Sequence, residues 1–113
     1  MFEKLFKKKP KDKAIIKFWQ EFESRADLYA DILAQDAEDS DDFIWMKTLV
    51  GKGLKLCCID STVGYEFEFE ASRDPVRLVF HHMNDEYLKQ VGQKLEEYYP
   101  STLSEKIGFA VAE

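Results

Sequence analysis

Apolar residues recur at steps of three and four from Ile15 through Phe18, Trp19, Phe22, Ala26, Tyr29, Ile32 and Leu33. That is the period of a helix with one buried stripe, so the pattern predicts a helix over residues 12–35, capped by Asp12. The segment DAEDSDD then breaks it. Ser40 or Asp41 can cap a second helix over residues 42–50, and the nearby acids suit its positive end. Phe43, Trp45, Met46, Leu49 and Val50 make that stretch largely apolar, and Gly51 and Gly53 read as its stop.

From residue 54 the period shortens to two. Three strands are predicted, over residues 54–60, 63–71 and 76–82, with turns at 61–64 and 72–75. In YEFEFEASRDPVRLVFHH the aromatics Tyr65, Phe67 and Phe69 alternate with Glu66, Glu68 and Glu70. A hairpin through residues 72–75 sets Phe69 opposite Leu78 and Phe67 opposite Phe80 on one face. The other face then pairs Glu70 with Arg77, Glu68 with Val79 and Glu66 with His81. The first strand, added in the same register, turns Leu56 and Cys58 inward. It places Lys55 beside Glu70 and Cys57 beside Glu68. His82 is expected at the core end, near Tyr65 or a carbonyl. Asn84 can cap a third helix ending near Tyr99, with Leu88, Val91, Leu95 and Tyr98 inward and Pro100 as its stop. Residues 107–112 read as a last strand at a sheet edge, with Ile107, Phe109 and Val111 on one face. The expected fold is α+β in the order ααβββαβ, with helices packed on one face of a mainly antiparallel four-stranded sheet. It forms a single domain, residues 12–113, behind a basic N-terminal arm, residues 1–11.

Length and composition fit one globular domain: 113 residues, 45% apolar and 34% charged. The net charge of −6 argues against nucleic acid as a partner, because phosphate binding needs a basic face. The charge is uneven. Residues 1–13 hold six lysines against Glu3 and Asp12, whereas residues 21–42 hold nine acids against Arg25. Phe2, Leu5 and Phe6 give the basic arm an apolar edge. Docking on the domain or fraying is its main reading, and contact with an anionic membrane through residues 1–9 the lesser one. There is no apolar run of about 18 residues, and the first residues do not read as a secretory signal. Cys57 and Cys58 are adjacent, so they do not make a disulfide framework, and no CxxC spacing is present. Together these point to the cytoplasm.

Few residues suggest chemistry. The chain has no GxSxG, HExxH or Gly-rich dinucleotide turn, and no catalytic residue or cofactor is assigned. The acidic DAEDSDD lacks the central Gly and spacing of a calcium loop. GKG lacks the frame of a phosphate loop. The glutamate row reads first as the wet face of a sheet, with cross-strand ion pairs of about 0.2–1 kcal/mol each. The sharper alternative is a metal or acid–base site built from Glu66 and His81, with Glu68 and Cys57 as further ligands. The function read from the sequence is therefore a non-catalytic protein-interaction module that binds a protein partner or itself. Its contacts would run through a sheet edge, the acidic helical region or the open sheet face, where Ile59 and Val79 would form an exposed apolar patch. The alternative is a small-ligand or metal-binding protein, with hydrolytic activity, using the Glu66/His81 face.

Phe18, Trp19 and Phe22 in KFWQEFESRADLYADIL match a Phe-Trp-x-x-Phe helix signature. In this the chain resembles a family of small bacterial domains of unknown function, which continue into an antiparallel sheet, a helix, a Pro-containing loop and a final strand. That order is similar over residues 54–112. The family tends to carry a Trp before the last strand, where this chain has Ile107 and Gly108. The resemblance implies no activity and no catalytic residue.

Overall fold

The computed structural model describes residues 10–113, so the basic arm's residues 1–9 lie outside the described residues. Helix α1 (Asp12–Ser24) buries Ile15, Phe18, Trp19 and Phe22. Helix α2 (Ala26–Gln35) buries Ala26, Tyr29, Ile32 and Leu33. The expected single helix is thus two, broken at Arg25. The apolar stripe runs through the break, so periodicity does not reveal it. The local cause is competition for one acceptor. The Glu21 carbonyl, which a continuous helix would offer to the Arg25 N–H, takes the Ser24 hydroxyl at 2.7 Å and the Arg25 guanidinium at 3.4 Å. The Arg25 N–H bonds Phe22 O instead. Asp12 is the first helical residue rather than the cap.

Helix α3 (Asp41–Cys57) starts as expected, with Ser40 Oγ accepting from the Phe43 N–H at 3.2 Å. It does not stop at the glycines. Met46, Val50, Leu54 and Cys57, at steps of four, four and three, are all buried and continue the helix to Cys57. The strand expected over residues 54–60 is therefore absent. Each interior glycine costs a helix about 1 kcal/mol relative to Ala. Gly53 is retained because α1 passes close by: a Cβ there would lie 2.7 Å from Phe18 Cδ1.

The strands are β1 (Glu66–Glu70), β2 (Val76–His81) and β3 (Ile107–Ala112). β1 and β2 pair antiparallel in the expected register, from Glu66 with His81 to Glu70 with Arg77. β3 joins β2 as a parallel neighbour, Val76 beside Ile107 and His81 beside Ala112. The sheet is thus three-stranded and mixed, in the order β1-β2-β3, and the chain runs αααββαβ. This corrects the four-stranded, mainly antiparallel sheet expected from the sequence. Its parallel pair follows from the crossover through α4 (Glu86–Glu97), which returns the chain to the end where β2 began.

Asp85, not Asn84, caps α4: its carboxylate accepts from the Leu88 N–H at 3.0 Å. Asn84 instead holds a left-handed φ of 59° in the turn. Leu88, Val91 and Leu95 face the core as expected. Tyr98 packs half-buried against the edge of that core, with its hydroxyl donating to Asp12 Oδ2 at 3.1 Å. Gly92 lets α4 approach β3, since a Cβ there would lie 2.8 Å from Val111 Cγ1. One core joins the four helices to Phe69, Leu78, Phe80 and Ile107, on a single side of the sheet.

Candidate functional site

The glutamate row lies on the sheet face away from the helices. Arg77 pairs with Glu70 as expected. Lys55 takes no part, because it belongs to α3. Glu66 is the cross-strand partner of His81, yet the side-chain bond is diagonal: His81 Nε2 meets Glu68 Oε2 at 2.7 Å. Cys57 is not on this face. It is buried, with its thiol directed at the Ala14 carbonyl 3.6 Å away. Burial pushes the Cys57 and Cys58 thiols up to about 12, so both stay protonated near neutral pH and are poor nucleophiles. The expected metal candidates are thus one hydrogen-bonded pair, Glu68 and His81, with Glu66 alongside and Cys57 elsewhere. Among the described residues no three His, Cys, Asp or Glu groups converge as a metal site. The expected apolar patch is also absent. Val79 is 4% exposed, and Ile59, 65% exposed, follows the end of α3 instead of lying on the sheet. His82 Nδ1 accepts from the Asn84 N–H at 2.9 Å, a turn contact in place of the expected Tyr65 or carbonyl.

The concave feature of interest lies between α1 and the end of α3. It is a groove of about 290 Å³ lined by Ala14, Phe18, Gly53, Leu56 and Ile59, with Lys11, Lys13, Lys17 and Glu21 at its margins. Its origin is local. The missing side chain at Gly53 lets the Phe18 ring approach α3. One turn further, Leu54 and Cys57 turn inward, which rotates Leu56 outward. Leu56 is 54% exposed. Lys13 and Lys17, one turn apart on α1, stand beside this apolar surface. Among the described residues no carboxylate is ion-paired with Lys11, Lys13 or Lys17. The surface is therefore apolar with a border of three lysines and one glutamate, net basic within a domain of net acidic charge.

Leu56 is not singled out by the sequence, where it reads as core; Ile59 is expected to be exposed in an apolar patch and is exposed, but after the end of α3 instead of on the sheet. The usable signal was the step pattern Val50, Leu54, Cys57, which fixes the inward face and leaves Leu56 off it. The Phe18–Trp19–Phe22 signature is core. Trp19 donates its indole N–H to Leu95 O at 2.9 Å, and its ring meets Phe18, Phe22, Tyr99 and Phe109 edge-on. Among the described residues, no helix is long and apolar enough to cross a membrane. Comparison of the chain with protein-family models, with curated proteins and with solved structures finds no match in any of the three.

Proposed function

We propose that this chain is a non-catalytic protein-interaction module that docks a protein through the α1/α3 groove. The observation that carries the reading is the pair Leu56 and Ile59, both more than half exposed beside the groove floor. Large apolar side chains gathered at a concavity are a common mark of a binding surface. The sheet edge at β1 is a weaker candidate, since its three glutamates oppose strand addition. A cytoplasmic setting is supported by the two free, buried thiols, which suit a reducing compartment. The small-ligand or metal reading on the Glu66/His81 face has the single His81–Glu68 bond in its favour.

Native mass spectrometry of the gently purified full chain tests this reading. A dimer or a co-purifying protein, lost on Leu56→Glu, is expected. A monomer carrying a stoichiometric metal or metabolite overturns it and makes Glu68 and His81 the first residues to change.

A further inference from the structure

We infer that the occupant of this surface is a second copy of the same chain, paired through α3 in antiparallel, two-fold fashion. The inference rests on the interaction-module reading above and specifies its partner.

The argument starts with the helix itself. Trp45 and Leu56 are three helical turns plus about 20° apart, so both project from the same side of α3. Both are exposed, Trp45 at 44% and Leu56 at 54%. The exposed stripe carries opposite charge at its two ends. Asp41 and Asp42 occupy the first turn, ahead of Trp45. Lys52 lies one turn before Leu56, and Lys13 and Lys17 of α1 stand across the groove. One end is therefore apolar and acidic, and the other apolar and net basic, its lysines outnumbering Glu21 and Asp60.

Two copies of such a helix satisfy each other when they lie side by side in opposite directions. Trp45 of one copy then reaches the Leu56 end of the other, with Asp41 and Asp42 near Lys13 and Lys17. The two-fold axis repeats the contact, as an isologous interface requires, and closes the assembly at two. A parallel pairing would set acid against acid and lysine against lysine, which is unfavourable. A partner of unrelated sequence has no such counterpart on this molecule. An anionic membrane fits less well, because the basic end is concave and the acidic end of the same stripe would be repelled. The stripe is narrow, so affinity belongs at the weak, micromolar end of protein interfaces.

The test is sedimentation equilibrium of the full chain over a range of concentrations. A monomer–dimer equilibrium without larger species is expected, weakened as salt rises from about 0.1 M to about 1 M, where screening shortens from about 10 Å to about 3 Å. Leu56→Glu should raise Kd about tenfold or more while circular dichroism stays unchanged. Asp41→Lys with Asp42→Lys, and separately Lys13→Glu with Lys17→Glu, should each give a monomer. Mixed in equal amounts, these two double variants should recover a heterodimer, which also shows that both are folded. A chain that stays monomeric at high concentration overturns the inference. So does a dimer indifferent to Leu56→Glu, a larger open assembly, or a charge-swapped mixture that stays monomeric. A monomer that captures a different protein, with capture lost on Leu56→Glu, overturns self-pairing and leaves the interaction-module reading standing. Binding of the full chain to phosphatidylserine vesicles, lost on Lys13→Glu with Lys17→Glu and without self-association, overturns both.

Discussion

Where α1 meets α4 and β3, Trp19 is enclosed and hydrogen-bonded to Leu95 O at 2.9 Å; where α1 meets the end of α3, Leu56 and Ile59 remain in solvent. The charges divide in the same way. At the start of α1, Asp12 is bonded by Lys94 and by the Tyr98 hydroxyl, so the α4 flank is tied by polar contacts as well as by aromatic packing. Its neighbour Lys13 faces the groove and has no carboxylate partner among the described residues. One flank of the helix is completed within the domain. The other presents apolar surface and positive charge outward. Stability should therefore depend on the first flank and the proposed docking on the second, and the two should respond differently to change.

The sharpest contrast is truncation at the centre of the closed flank. Trp19→Ala removes the indole bond and the edge contacts with four rings, and should cost about 3–5 kcal/mol in urea unfolding. A loss under 1 kcal/mol would mean that this flank is not where the stability lies. The next effect is at the boundary between the flanks. Gly53→Ala adds a methyl group 2.7 Å from Phe18 Cδ1, and overpacking of about 1–3 kcal/mol should outweigh the helix-propensity gain of about 1 kcal/mol. Gly51→Ala is the control. Its new Cβ meets Phe67 at 3.5 Å, an ordinary contact, so the melting temperature should rise where Gly53→Ala lowers it.

Acid titration separates the two charged groups at the start of α1. Bonds from Lys94 and Tyr98 hold the Asp12 carboxyl below its ordinary value of 3.8. A carboxyl with a lowered folded-state value contributes stability above its unfolded value and loses it as pH falls through the folded one. Asp12→Asn should therefore flatten the acid side of the stability–pH curve below about pH 4, whereas Lys13→Met should leave that slope unchanged. Equal slopes in wild type and Asp12→Asn would mean that the Lys94 contact is not maintained in solution. The smallest effect belongs to the open flank. Leu56→Ala, read by thermal unfolding of dilute protein, should fall within about 0.5 kcal/mol of wild type. A cost of 2 kcal/mol or more, as expected of a buried leucine, would close the groove as a binding surface.

The hairpin was legible in the sequence because two independent patterns required the same register. Phe67 and Phe69 had to share a face with Phe80 and Leu78, and that choice also placed Glu70 beside Arg77. The bounds of β3 were legible too, from its alternation and from Pro100 ahead of it. The glycines of α3 misled for a definite reason. Isolated from its neighbours, GKG looks like a helix stop followed by the alternating run Leu54, Leu56, Cys58. The same residues fit a helix at steps of three and four, and a short apolar run supports either period. The candidate site inherited that error. Cys57 moved from the sheet face into the core, and the apolar patch moved from the sheet to the end of α3.

By itself, then, the order of residues determined what neighbours in sequence can decide: the inward stripes of α1, α2 and α4, a cap at Ser40 or Asp41 for α3, and the pairing of two strands joined by a short turn. Local periodicity and turn chemistry act within a few residues, and their physical basis travels with the segment. Tertiary structure alone decided the rest. Whether residues 54–57 are helix or strand depends on the Phe18 ring meeting Gly53, and on Leu54 and Cys57 finding a core to enter. The parallel direction of β3 depends on where α4 lands. The groove exists only because residues 11–21 and 53–59 pack beside one another. Each of these outcomes is set by contacts between distant segments, whose free energy is absent until the chain has folded.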